Sequence, residues 1–565
     1  MTRCPIVAVL LGVALLAQSL GADEHPSGSP VGASGPIISE FMAANEAGLR
    51  DRYGDHPDWI EIYNPTDQAI DLAGWHLTND RKSPRLWTFP AGVRISAGRY
   101  VVVFASKRNS SEGGELHASF KLKASGGYLA LTRPDGSVAH DFGGGYPPQR
   151  ADISFGIPRA ADGEPVAPTY LAKPTPGKMN RPAVRLGPAI QDVRHTPAQP
   201  RPGDAVTVIV RAGRGAALVL HYRVMFGDEV EAPMFDDGAH GDAAAGDGVY
   251  AASIPAGKAE TGEMIRWYVT AADGGGGHTS RFPAFVATDA PQYLGTVIAD
   301  PDAPRRSVPV FRWFAPEAQR AQSDEAGRVS VYFLGRFYDN VRVRRRGAAT
   351  TRGYRFHANP KHQFVWREGE RPVGKINVNY RSSLDETLLR PTLAFETYRD
   401  AGSFYCATFP VRLEHNGRLE GLAYFVEEPG PDYLRRQGLA GNGPLYKATY
   451  LHPQMNDLKA YKKRTRRWED QSDLRAFFDG IHQRPGPARD RFILQNLDLP
   501  SFINYMAATT IINDSDHIQK NFLLYKDIDG DGRWRVLPWD KDLTFGKHWK
   551  TPDYGADISQ LHPLL

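Results

Sequence analysis

Short runs of β-branched and aromatic residues, closed every ~8–12 residues by Asn, Pro or Gly, recur from Ile37 onward and call for sheets in the first half of the chain. Trp59-Ile-Glu-Ile-Tyr63 stops at Asn64-Pro65, Gly74-Trp-His-Leu77 follows, and Tyr100-Val-Val-Val-Phe104 comes after further turns. Pro cannot donate to a ladder and Gly weakens one, so both collect where strands end. The 565 residues include 56 Gly and 43 Pro, an excess that argues against a helical bundle throughout. With 41% hydrophobic and 23% charged residues, the chain has apolar surface for several cores and is not a disordered polymer. A net charge of +4, from 68 basic and 64 acidic residues, makes no overall electrostatic case for nucleic acid or an anionic membrane as partner.

The N-terminus reads differently. Arg3 precedes an apolar run that ends at Ala17, and the small residues Ser19 and Gly21 follow, the pattern of a secretory signal over residues 1–21. The run stops short of a retained anchor at Gln18-Ser19. Residues 22–35 are polar and small, a flexible leader. The expectation is an exported protein, secreted or held in the cell envelope, with no integral membrane segment after signal removal. Of the two cysteines, Cys4 leaves with the signal, and Cys406 is expected as a buried apolar residue without a disulfide partner.

The run Ile37-Ile-Ser-Glu-Phe-Met-Ala-Ala-Asn45, then Asp58-Trp-Ile-Glu-Ile-Tyr-Asn-Pro65, Leu72-Ala-Gly-Trp75 and Pro174-Thr-Pro-Gly177, resembles the lamin tail domain over residues 36–180, with a Gly- and Pro-rich insertion at 143–172. That resemblance implies an immunoglobulin-like β-sandwich used for binding, here to an envelope or surface component. Asn45, Asp58 and Glu61 are candidates to line a site, and strand-end polar residues that satisfy the backbone are the favoured reading. A second β segment, residues 183–290, resembles the immunoglobulin-like spacers of large secreted bacterial proteins. It carries Ala205-Val-Thr-Val-Ile-Val-Arg211 and Ile265-Arg-Trp-Tyr-Val-Thr-Ala271 as strands. Asp236, Asp237, Asp242 and Asp247 lie in a Gly-rich loop that suits calcium, although Asp-Gly pairs also make tight turns, the favoured reading. The glycines at 274–277 lack the Gly-Lys-Ser/Thr of a phosphate loop and predict a hairpin tip.

After Pro301 helical runs appear. Phe502, Tyr505, Met506, Thr509 and Ile512 follow helical spacing, with Asp498 and Pro500 as the start. The helix delivers a polar loop that holds Asp516 and, five positions on, Asn521. Phosphoryl transfer needs a carboxylate that orients or deprotonates the attacking hydroxyl, and an amide oxygen nearby to hold a divalent ion. Asp-x-x-x-x-Asn is the spacing that protein kinases use. A strand (Phe522–Tyr525), a turn (Asp527–Gly532) and a second strand (Trp534–Pro538) follow. The hairpin would return Asp540 or Asp542 beside Asn521. Asp527-Ile-Asp-Gly-Asp-Gly532 opens like an EF-hand loop, but Pro538 stands where the closing Glu belongs, so a turn is expected. Arg342-Val-Arg-Arg-Arg346 alternates as a strand with one charged face, fitting phosphate or solvent better than DNA.

Together with Trp539-Asp-Lys-Asp-Leu-Thr-Phe-Gly546, Arg346-Gly347, Pro360-Lys361, Leu388-Leu-Arg-Pro-Thr-Leu-Ala394, Gly421-Leu-Ala-Tyr-Phe-Val-Glu427 and Leu445-Tyr-Lys447, these residues resemble the spore coat protein H (CotH) kinase family over residues 305–565. The resemblance implies an α+β, two-lobed atypical protein kinase that transfers the γ-phosphoryl group of ATP to Ser or Thr, with magnesium or manganese. Asp516 would be the catalytic carboxylate, and Asn521, Asp540 and Asp542 the metal ligands. Lys361 would pair with the nucleotide phosphates, Glu396 would hold that lysine, Glu427 would lie near the adenine, and Lys447 would belong to the nucleotide site. The usual Gly-rich loop, His-Arg-Asp and Asp-Phe-Gly signatures are absent, as they are in that family. Family members usually continue with further helices past this segment, so the end at Leu565 implies an incomplete C-terminal lobe. The alternative is a non-catalytic surface-binding scaffold with an inactive kinase-like domain.

Overall fold

The computed structural model describes residues 35–547 apart from 47, 161–163, 172, 181–185, 275–277, 284–285, 288–289, 301–307, 317–326, 348–350, 360–361, 383–384, 386, 450–457, 468 and 517–519. The segment expected as a signal, the expected leader up to residue 34, Lys361 and the glycines at 275–277 therefore lie outside the described residues. No helix among the described residues is long and apolar enough to cross a membrane.

The chain is mostly β. Its first unit, formed by residues up to Ala44 and from Asp58 to Ala183, contains two sheets. The larger has six strands, ordered Thr169–Leu171, Ser154–Gly156, Ile37–Met42, Asp58–Tyr63, Tyr100–Ala105 and Leu116–His117. The smaller has four: Val138–Asp141, Ala130–Thr132, His76–Thr78 and Trp87–Thr88. Ile38, Phe41, Ile60, Ile62, Leu77 and Val103 form the core between them. Two acids are buried with these apolar residues. Glu61 accepts from Ser39 Oγ at 2.6 Å and Gly177 N at 2.5 Å, and Glu40 accepts from Ser154 Oγ at 2.5 Å and Thr175 N at 3.0 Å. The pair thus fastens the Pro174-Thr-Pro-Gly177 segment to the sheet. Glu61 satisfies backbone and hydroxyl donors, and Asn45 Nδ2 donates to Leu49 O and Pro57 O, each at 2.7 Å.

The second unit contains the spacer and everything after it, together with residues 45–57. In the spacer, the strands Ile190–Thr196, Val206–Ala212 and Val249–Ile254 make one sheet. Val230–Met234, Ala217–Val224, Met264–Ala272, Thr279–Phe282 and Leu294–Val297 make the other. Met264–Ala272 and Thr279–Phe282 pair antiparallel, as a Gly-rich hairpin requires. In the acidic loop, Asp236 accepts from Asp247 N (3.1 Å) and Gly248 N (3.0 Å), Asp237 from Ala239 N (2.9 Å), and Asp242 from Gly238 N (2.6 Å). These are turn bonds. Among the described residues no three His, Cys, Asp or Glu side chains gather into a metal cage, here or elsewhere.

Beyond the spacer a closed barrel forms. Its strands run Val310–Phe314, Gly327–Phe333, Arg336–Arg346, Thr351–His357, Lys375–Ser382, Arg418–Glu427 and Thr408–His415, and the last closes parallel on the first. Val341 and Val343 point into the barrel core while Arg342 and Arg344 are exposed, the alternation the sequence spells. A separate core follows, built on a four-stranded sheet of Tyr461–Lys463, Leu445–Ala448, Phe522–Lys526 and Trp534–Pro538. The helices Arg390–Asp400 and Leu499–Ile511 contribute Tyr398 and Tyr505 to it. Asp498 caps the second helix by accepting from Ser501 N at 3.4 Å, and Pro500 sits in its first turn, where no amide donor is needed.

The expected hairpin forms: Phe522 pairs with Pro538 and Lys526 with Trp534. The calcium-like spelling of its turn serves an arginine instead, because Arg535 bridges Asp498 at 2.9 Å, Asp527 at 3.2 Å and Asp531 at 3.0 Å. Cys406 is fully buried, and burial pushes its thiol pKa well up, as suits an inert apolar residue.

Candidate functional site

The Leu499–Ile511 helix ends in a loop that is stitched to the segment after the hairpin. Asp514 N returns to Thr509 O at 3.2 Å, Ser515 N donates to Leu543 O at 3.0 Å, and Phe545 N donates to Ile512 O at 2.6 Å. Trp539 N donates to Asn521 O at 3.1 Å, and Arg390 Nη1 reaches Thr544 O at 2.9 Å. Two stretches far apart in sequence are thereby held edge to edge. Asn521 and Asp540 take left-handed backbone angles, φ 67° and 56°, conformations that Asn and Asp tolerate better than bulkier residues.

Beneath the loop lies an ion pair that sequence reasoning missed. Lys541 Nζ meets Asp514 Oδ2 at 2.6 Å and donates to Asn521 O at 3.0 Å, and both side chains are buried. Burial works against the ammonium, but the Asp514 carboxylate and the Tyr398 and Tyr505 rings beside it raise its pKa well above the ordinary lysine value. The pair fixes Asn521 from below.

Asp516 stands above that pair. Its Oδ2 accepts from Asn521 Nδ2 at 2.7 Å and meets Lys520 Nζ at 2.9 Å, and only 13% of the side chain is exposed. Burial raises its pKa, Lys520 opposes the rise, and the negative charges of Asp514 and Asp540 add to it. Asp540 and Asp542 both act on Lys520, and Asp540 acts on Lys447. Asp516, Asn521, Asp540, Asp542 and Lys447 are thus brought into one neighbourhood.

Two expected residues lie elsewhere. Glu396 is exposed on the Arg390–Asp400 helix, beside Arg399. Glu427 is fully buried, its carboxylate on Arg436 at 2.7 Å and accepting from Ala407 N at 3.1 Å, so the side chain serves the fold. Its neighbour Glu428 turns the other way, to Arg355 at 2.8 Å and to Arg464.

The donor set consists of hard oxygens: two carboxylates, Asp540 and Asp542, and an amide, Asn521, whose nitrogen is engaged by Asp516. Such a set fits magnesium or manganese. These ions take one or two carboxylates and complete their shell with substrate phosphates and water, so no all-protein cage is needed.

Residues 354–562 match the family described as CotH kinase protein, residues 31–145 the Lamin Tail Domain, and residues 207–276 the conditioned medium factor second Ig-like domain. The three follow one another in the order the sequence motifs indicated. No curated protein matches the chain. Among solved structures, the cycloalternan-forming enzyme from Listeria monocytogenes in complex with pentasaccharide substrate is similar at 10% identity and a TM-score of 0.14. That match covers 34% of this chain and 17% of the other, and at that score it carries no argument.

Proposed function

We propose that this protein, whose C-terminal segment is a CotH kinase family domain, is an exported atypical protein kinase. In this reading it moves the γ-phosphoryl group of ATP onto a Ser or Thr hydroxyl of an envelope or extracellular protein. The barrel and the helix-backed sheet serve as its two lobes, and the lamin tail domain serves as its tether. The observation that carries the reading is the gathering of Asp516, Asn521, Asp540 and Lys447 around one loop.

Asp516 orients the acceptor hydroxyl and takes its proton. The raised pKa makes this carboxylate a better base than an exposed aspartate. The acceptor oxygen bonds to the terminal phosphorus as the bond to the bridging oxygen breaks, and that oxygen leaves with the electron pair on the diphosphate. Lys520 releases Asp516 and Lys447 faces the growing negative charge. Asn521, Asp540 and Asp542 would hold magnesium or manganese, which supplies charge neutralisation at the phosphate oxygens.

A second reading, a binding scaffold with an inactive domain, is favoured by one contact: Lys520 already occupies Asp516 at 2.9 Å. A thermal melt of the full chain with ATP and magnesium or manganese separates the two. Stabilisation that saturates with ATP supports the kinase, and no shift supports the scaffold.

A further inference from the structure

A barrel strand whose outer face meets water carries polar residues there, as Arg342 and Arg344 do. Elsewhere the outer face of the barrel is apolar. Trp313, Val331 and Tyr338 fill the barrel core, so their chain neighbours Phe314, Tyr332 and Phe337 fall on the other face, with Tyr332 and Phe337 opposite each other across the ladder. Phe314 and Tyr332 are nonetheless buried. The spacer covers them. Along Met264–Ala272, Ile265, Trp267 and Val269 fill the spacer's own core, which leaves Met264 on the opposite face, where it too is fully buried. Met264 and Val297, paired across their ladder, form one apolar cluster with the three barrel aromatics, and Met225 and Phe226 pack at its edge.

Two further observations show how closely the spacer and the barrel fit. A Cβ on Gly295, in the Leu294–Val297 strand, would lie 2.6 Å from the Phe337 ring, and one on Gly262 would lie 3.3 Å from Gly417 Cα, at the turn between two barrel strands. Only glycine allows backbones to approach in this way. A polar clasp runs through the same seam. Asp339, on the barrel, is buried, and its carboxylate accepts from Ser330 Oγ at 2.5 Å and from Tyr293 N, on the spacer side, at 2.8 Å. Burial raises its pKa, against the Ser330 bond and the positive charge of Arg266 from the spacer. Arg266 in turn lies over the Tyr293 ring at 4.8 Å.

We propose that the spacer is a wall of the barrel and folds and opens with it as one cooperative body, so that the body which carries the candidate site begins in the spacer and not at residue 305. Domains joined by a small polar interface move freely against each other, and an apolar seam with a buried acid removes that freedom. A ligand or a strain that acts on the spacer is then felt in the barrel, and the reverse, because such coupling is reciprocal. The proposal concerns the full chain without nucleotide and does not depend on the kinase reading.

Hydrogen exchange of the full chain tests it, with one cavity made in each core and neither among the seam residues. Val208→Ala lies in the spacer strand Val206–Ala212, in the sheet that does not carry Met264, and Val331→Ala lies inside the barrel. Each should speed exchange by about tenfold in its own strands. The same factor is expected across the seam: for Val208→Ala in the barrel strands Gly327–Phe333 and Arg336–Arg346, and for Val331→Ala in the spacer strand Met264–Ala272. Gly295→Val, which drives a branched side chain against the Phe337 ring, should release both sides together, again by about tenfold. Faster exchange confined to the module that carries Val208→Ala or Val331→Ala overturns the proposal. A Gly295→Val chain whose barrel strands exchange at the wild-type rate does the same.

Discussion

The N-terminal sandwich and the C-terminal loop each bury neighbouring acids, and they use them in opposite ways. Glu40 and Glu61 are surrounded by hydroxyls and amides of their own fold, and their bonds tie down a chain segment. Burial raises both pKa values, that of Glu61 to about 8. Asp514, Asp516 and Asp540 each have a lysine beside them as well: Lys541, Lys520 and Lys447. Acids whose lone pairs are filled by hydroxyl and amide donors are structural. An acid whose cation is partly exposed, as Lys520 is on Asp516, can exchange that cation for a substrate.

The contrast can be broken most forcefully at the buried pair. Lys541→Met leaves Asp514 buried without its partner and should destabilise the C-terminal region by about 4 kcal/mol, measured as faster hydrogen exchange in the Phe522–Lys526 strand. Adding Asp514→Asn should recover much of the loss, and an unaltered exchange rate in Lys541→Met would remove the pair from its role.

At the other end, Glu61→Ala strips the Ser39 and Gly177 donors of their acceptor. It should cost about 2 kcal/mol, visible as loss of protection in the Ile37–Met42 and Asp58–Tyr63 strands. The same residue predicts a pH dependence. Unfolded, Glu61 titrates near 4.5, and folded at about 8, so between those values the folded sandwich binds more protons. Its contribution to stability is complete below about 4.5 and is lost as pH rises through about 8. Melts of the sandwich should therefore fall between pH 5 and 9, and Glu61→Gln should flatten the profile; a wild-type profile already flat would contradict the assignment. The smallest effect belongs to Glu396→Ala, an exposed change expected to shift stability by less than about 0.5 kcal/mol and to leave phosphoryl transfer intact.

What could be read from the chain alone was what local pattern controls. The hairpin, the helix start at Asp498, the charged face of Arg342–Arg346 and the Asp516–Asn521 spacing all depend on neighbours within a few residues. What stayed hidden were pairings across the chain. Lys541 finds Asp514 over 27 residues, and Arg355 finds Glu428 over 73. No period in the sequence records such contacts. Glu427 and Glu428 show what one position changes: successive residues of an extended chain face opposite ways, so Glu427 is buried on Arg436 and Glu428 meets Arg355.

Asp516 as the base for phosphoryl transfer is the role on which the kinase reading depends. Transfer of label from γ-labelled ATP to a Ser- or Thr-containing protein acceptor should be measured for the full chain and for Asp516→Asn, with hydrogen exchange confirming that both are folded. A loss of about a thousandfold in the variant is the predicted result. Equal transfer by both proteins would contradict it.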